Sequence, residues 1–366
     1  MVELSRDLPR PRTSARPPFD HTTNATMSAR PGTAPASPRS TLGTPRVACQ
    51  GTLTLSKTFI VALDGSDQAM RGLHLAAALC SPLDRIKVVT ISVGITNFPT
   101  ANVDSQSVDN QLDFTKLSPE GLLARSKAEL ILAGVGPRSV ITDMVDPGDS
   151  TIAETLVHES NVLRRGAGLL VIGSAGKGAL KRKGTTGLGS VATHVLMNCK
   201  CPIALVKGPE LLSRGPRGEV MGVRPSLQIC VCVDGASRSH ISKGAFDAAL
   251  RFCSRPGDRL AVLHVQTATP AEEEKSTKYW VEEVQKAAFN SSTEVTFQSL
   301  VCEGTNDIVT TVLQKCDELH CQVVVTGSVE LVKLHGSDHP LGSVAQAVAS
   351  RTRAHTIIGM GRNRMW

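Results

Sequence analysis

From Thr58 onward two patterns alternate along the chain: short apolar runs without helical period, and longer segments with apolar residues spaced three and four apart. Phe59 to Asp64 reads as a strand running into Gly65-Ser66. A helix from about Gln68 to Leu79 follows, with Met70, Leu73, Ala77 and Leu79 inward, then a strand from Ile86 to Val93. Gly94 to Leu117 is polar and irregular and reads as an insertion. Ser118-Pro119-Glu120 supplies a cap, a first-turn proline and an acid facing the helix dipole, opening a helix that ends near Gly134. Val140 to Val145 is a third strand, and Thr151-x-x-Glu154 is a capping box for a helix to about Arg165. Gly168 to Ile172 is too short for a helix and stops at Gly173, which marks a buried strand. Val191 to Met197 is helical, and Cys201 to Val206 is the fifth strand.

The series then repeats. Val231-Cys-Val-Asp234-Gly235 answers Val61-Ala-Leu-Asp64-Gly65, and Val262-Leu-His264-Val265 answers Thr90-Ile-Ser-Val93. Val323 to Gly327 answers Leu169 to Gly173, and Leu341-Gly-Ser-Val-Ala345 repeats Leu188-Gly-Ser-Val-Ala192 letter for letter. The expected organisation is a domain over 57–208, a Pro/Gly/Arg-rich linker over 209–225 and a second domain over 226–361. Strands alternating with helices imply an α/β fold of two tandem doubly wound, Rossmann-like parallel sheets, whose ligands sit beyond the carboxyl ends of the strands.

Those ends carry the candidate chemistry. After Gly173 comes a loop with Gly176, the cations Lys177, Lys181, Arg182 and Lys183, and then Gly187-Leu188-Gly189-Ser190 at a helix start. Glycines let backbone amides approach an oxyanion, and the first amides of a helix lack partners, so the stretch is an anion site suited to phosphate. Neither a Walker loop, which would need lysine where Ser174 stands, nor the G-x-G-x-x-G fingerprint is present. Asp64 either caps the turn Gly65-Ser66-Asp67 or makes a polar contact to a phosphate-bearing ligand or, through water, to a Mg²⁺ ion held by it.

The pattern G-x-x-G, a spacer and then Gly-Ser at a helix start, downstream of a strand ending in Asp64, resembles the nucleotide-binding universal stress protein family. The spacer here, Lys177 to Leu188, is longer than the family's. The resemblance implies five-stranded parallel sheets of order 3-2-1-4-5 and ATP as ligand. It also implies nucleotide contacts at Ala62, Leu63, Asp64, Val93, Ile172, Gly173, Gly176, Gly189, Ser190 and Val191. In the family, edge strands pair between subunits; the duplication and linker predict that here the fifth strands, Pro202 to Val206 and His355 to Met360, pair within the chain as a pseudo-dimer. Homo-oligomerisation stays open. In the second domain Glu330 replaces the second glycine, and a carboxylate beside a triphosphate is unfavourable, so one competent site and one degenerate copy are expected.

Composition narrows the alternatives. Aromatic residues are only 3% of the 366, too few for a base-stacking platform, and the net charge of +7 is dispersed, so nucleic acid is not an expected partner. No apolar run is long enough to cross a bilayer. Residues 1–55 are rich in Pro, Arg and Ser and lack apolar periodicity, which reads as a disordered tail; Glu3, Asp7 and Asp20 fit a transit peptide poorly. The ten cysteines, several in apolar patterns such as Cys230, Cys232 and Cys321, suggest a reducing, cytoplasmic setting. Cys199-x-Cys201 and Cys230-x-Cys232 read as paired thiols on strand faces rather than zinc ligands. No nucleophile with a paired base appears, so the expectation is an ATP-binding stress or signalling protein, not an enzyme beyond slow ATP hydrolysis. A nucleotide-free scaffold of the same fold is the alternative.

Overall fold

The computed structural model describes residues 56–92, 117–162, 168–174, 188–212, 226–235, 239–253, 255–266, 269–302, 307–328 and 343–360. The first half contains β1 (Thr58–Leu63), α1 (Asp67–Leu79), β2 (Arg85–Ile91), α2 (Pro119–Leu132), β3 (Val140–Val145), α3 (Ile152–Val162), β4 (Gly168–Gly173), α4 (Ser190–Asn198) and β5 (Ile203–Val206). The second contains β6 (Gln228–Val233), α5 (Ser239–Phe252), β7 (Arg259–Gln266), α6 (Pro270–Asn290), β8 (Glu294–Val301), α7 (Ile308–Glu318), β9 (Val323–Ser328), α8 (Ser343–Arg351) and β10 (His355–Met360). No helix among the described residues is long and apolar enough to cross a membrane. The tail, the 94–116 segment and residues 213–225 of the linker lie outside the described residues.

Strand periodicity sorts the core into two faces. Phe59, Val61 and Leu63 of β1, with Leu169 and Val171 of β4, face α1, α2, α5 and α6 in one apolar cluster that runs through both halves. Their neighbours Ile60, Leu170 and Ile172 face α3, α4 and α8, while α7 and the rest of α8 cover the second half's strands. Phe59 of β1 meets Phe252 of α5 edge to face at 6.0 Å, so this core packs across the two repeats.

All ten strands lie in one sheet of order β3-β2-β1-β4-β5-β10-β9-β6-β7-β8. Within each half the strands are parallel, in the expected 3-2-1-4-5 order. The halves join where β5 and β10 pair antiparallel, with Leu205 opposite Thr356 and Ala204 opposite Ile357. This is the expected intramolecular pseudo-dimer, and it pairs two apolar strands that would each otherwise be an open edge.

The register corrects one matching of the repeats. Asp84 accepts the amides of Lys57 and Ser81, and Asp258 those of Leu227 and Arg255, so each aspartate ties the start of its half's second strand to the first. Leu63 then lies opposite Thr90, and Val233 opposite His264. His264 therefore corresponds to Thr90, two places from the pairing the letters suggested, because Val/Leu strings are self-similar at period two. The thiol expectations change too: Cys199 caps the C-terminus of α4 and Cys321 precedes β9, so neither is a strand residue.

The segment leaving β5 fastens the joint. Lys207 Nζ donates to the carbonyls of Ala349 and Ser350, the latter at 3.0 Å, in the last turn of α8 where carbonyls lack helical partners. Arg71 of α1 donates to the Gly208 carbonyl at 3.1 Å, and buried His355 of β10 to that of Pro209 at 2.9 Å. His74 of α1, 1% exposed, lies between Glu129 of α2 (2.9 Å) and Glu210 of the same segment (2.8 Å). Next to the joint, Gly359 lets α5 lie directly on β10: an added Cβ would come within 2.5 Å of Ala245 Cα and 2.7 Å of Gly244 O. These are backbone atoms and cannot rotate aside. Gly359→Ala should therefore lower stability by about 1–3 kcal/mol, read as an earlier urea midpoint; an unchanged midpoint would refute so close a contact.

Candidate functional site

β1 and β4 are neighbours, in register from Thr58 opposite Gly168 to Val61 opposite Val171, so their carboxyl ends emerge side by side. From there the chain departs to opposite faces. α1 joins the cluster shared with α5, and α4 joins the other, so these strand ends lie at the switch point of the sheet, where open α/β folds bind their ligands. Leu63 and Ile172 are buried there, at 4% and 3% exposure; Ala62, Gly173, Gly189 and Val191 are half-buried, and Asp64 and Ser190 are exposed. Eight of the ten expected positions thus gather at this one end of β1 and β4 or at the start of α4. Val93 and Gly176 lie outside the described residues, as do the four loop cations.

The two helix starts at these strand ends differ. At α1, Asp64 Oδ1 accepts the Ser66 N–H at 2.9 Å and Ser66 Oγ accepts that of Ala69 at 3.2 Å, while Gly65 takes a φ of +76° that a side chain would oppose. The turn-capping reading of Asp64 is therefore realised. Its exposed carboxylate has further lone pairs for a cation or a hydroxyl. At α4 the N-cap is Gly189, in extended conformation with no side-chain cap. Its first amides, backed by the helix dipole, are the feature an anion would use.

Ser174 carries no signal in the sequence beyond standing where a Walker loop needs lysine. It is 2% exposed; its amide donates to Val206 O at 3.3 Å, and its carbonyl accepts the Gly189 N–H at 2.8 Å. The last hydrogen bond closes the two ends of the loop on each other, so Gly173 and the start of α4 are held together across the intervening residues. Nothing in a single serine predicts this. It follows from β4 and α4 meeting in space.

The matching end of β6 is occupied differently. The Asp234 amide donates to Ser242 Oγ at 2.7 Å, and its carbonyl accepts the indole N–H of fully buried Trp280 at 2.9 Å. Beside it, His264 places Nε2 2.7 Å from Glu273 and Nδ1 3.3 Å from Val233 O. Side chains of α5 and α6 thus use the backbone at this strand end. The 329–342 segment, which includes Glu330, lies outside the described residues.

A universal stress protein family model matches residues 56–207 and again 227–358. Among solved structures, a universal stress protein from Archaeoglobus fulgidus DSM 4304 aligns with 83% of this chain and 96% of its own, at 16% identity and a TM-score of 0.51. Other universal stress protein structures match a smaller share of the chain. A universal stress protein solved in complex with cAMP covers 41% of this chain and 96% of its own at 20% identity, with a TM-score of 0.30. Another from Archaeoglobus fulgidus covers 37% and 99% at 18% identity, with a TM-score of 0.29. No curated protein matches the chain.

Proposed function

Because the chain belongs to the universal stress protein family, we propose that its first half binds an adenine nucleotide, ATP with Mg²⁺, and serves stress response or signalling as a binding protein. One observation carries the reading: the Ser174–Gly189 hydrogen bond sets the uncapped start of α4 beside the ends of β4 and β1. In this proposal the amides following Gly189, with Ser190 and Val191, take the phosphates, helped by Gly173, Gly176 and the loop cations. Ala62, Leu63, Ile172 and Val93 line the site, and Asp64 meets the ribose or, through water, the metal. The second half is proposed as a degenerate copy. In its favour are Glu330 at the place of Gly176 and the Trp280 and Ser242 contacts that already use the end of β6.

Calorimetry of the full chain with MgATP tests this. The expected result is one nucleotide per chain. Two sites of equal affinity would overturn the degenerate assignment, and no binding of any adenine nucleotide would leave the nucleotide-free scaffold.

A further inference from the structure

The second half carries a feature that the nucleotide reading does not use. Cys230 of β6, Cys316 of α7 and Cys321 in the turn after α7 place their sulfurs within 4.8 Å of one another. Cys230 and Cys316 are buried, at 0% and 3% exposure, and Cys321 is half-buried. They lie among Ala261, Val309, Val312 and Val324.

The helix end explains how the thiols meet. The Cys321 amide donates to Cys316 O at 2.9 Å and the His320 amide to Asp317 O at 3.0 Å, the paired bonds of a Schellman motif, which sets its two flanking side chains against each other. The left-handed position between them is glycine's usual place, yet His320 occupies it at a φ of +50°. The motif thus joins Cys316 to Cys321, and β6 brings Cys230 underneath.

The duplication supplies an internal control. Counting from Asp64 and Asp234, Cys230 corresponds to Ile60; counting from the starts of α3 and α7, Cys316 corresponds to Ser160. Ile60 and Ser160 are buried in the first half, at 0% and 1% exposure, so the fold at these places needs neither thiol.

We propose that Cys230, Cys316 and Cys321 form a trigonal all-sulfur site for a soft monovalent metal ion, Cu(I). Thiolates select soft cations, and no fourth Cys, His, Asp or Glu donor joins the group among the described residues, so the four-ligand set usual for structural zinc is incomplete. At a metal–sulfur distance of about 2.3 Å, three sulfurs around one ion are roughly 4 Å apart, within the span observed. Half-buried Cys321 is the point of entry. Binding exchanges thiol protons for the cation: three metal–sulfur bonds form, the S–H protons pass to solvent, and no electron moves.

The test uses the reduced full chain under anaerobic conditions, titrated with Cu(I) held by the chromogenic competitor bicinchoninate. The chain should withdraw one equivalent, with release of protons. Cys316→Ser, which installs the residue of the first half, and Cys321→Ala, at the half-exposed turn, should each weaken binding by more than roughly 100-fold, beyond what loss of an outer-shell partner costs. Far-UV circular dichroism of both variants confirms that they fold. A double variant Cys199→Ala/Cys201→Ala should keep the tight equivalent. Retention of Cu(I) by either cluster variant, its loss in the Cys199/Cys201 variant, failure of the wild type to compete, or equally tight Zn²⁺ binding would each overturn the assignment.

Discussion

Gly189→Asp should lower the affinity of the chain for MgATP by about a hundredfold while leaving its melting temperature at or slightly above the wild-type value. Position 189 is the N-cap of α4 in extended conformation, where aspartate is among the best residues and improves on glycine by only a few tenths of a kcal/mol. The same carboxylate would accept the amides proposed for the phosphates and place a negative charge in their site. A unit charge about 5 Å from a phosphate charge, at an effective dielectric near 20, opposes it by about 3 kcal/mol, which is the hundredfold. Gly189→Ala, without the charge, is the control. Isothermal titration beside a thermal melt separates binding from folding. Unchanged affinity in Gly189→Asp would move the anion elsewhere, and a large fall in melting temperature would mean that the position serves the fold instead.

Stability should fall on both sides of neutrality, for reasons that meet at the segment leaving β5. Burial, and secondarily the nearby Arg71 charge, hold His355 down to about 4, against the hydrogen bond to Pro209 O. An unfolded imidazole titrates near 6.5, so the folded state favours the neutral ring. Stability from this group is complete above about 6.5 and is lost as pH falls through 4, by about 3 kcal/mol in all. His74 has the opposite sign. Burial disfavours its charge, but hydrogen bonds to Glu129 and Glu210 and their charges prevail and raise it. Its contribution is present below about 6.5 and lost as pH rises through the raised value. Urea midpoints recorded across pH for the wild type, His355→Gln and His74→Gln test both signs. His355→Gln should flatten the acid limb and His74→Gln the limb above neutrality; an acid limb unaltered by His355→Gln would sink the assignment.

Short-range signals were the legible ones. Leu188-Gly-Ser-Val-Ala192 and its twin place two helix starts, Ser118-Pro119 and Thr151-x-x-Glu154 announce helices that begin at Pro119 and Ile152, and Asp64-Gly65 marks the end of β1. The strand order and the pairing of the fifth strands followed from duplication and resemblance. What escaped was long-range or periodic. His74 finds Glu129 across 55 residues, and Ser174 closes on Gly189 across a loop, encounters that no local pattern encodes. The β7 matching slipped by two because alternating aliphatic residues look alike in every register; the aspartates at 84 and 258 fix it through backbone amides. The three thiols under α7 belong to separate elements, so their sequence spacing resembles no metal motif.

The antiparallel seam between β5 and β10 also bears on how this molecule can change over time. In a two-subunit assembly every substitution appears twice, once on each side, and a loss in one site is a loss in both. Joining the partners in one chain removes that constraint, because each codon is used once. It also frees assembly from mass action: the partner strand is always present at the same effective concentration, so dilution does not part the halves. One repeat can then keep a glycine at 176 while the other carries Glu330, and cysteines can gather under α7 while the corresponding place under α3 holds Ser160. The two halves are free to specialise, and the seam keeps them together while they do.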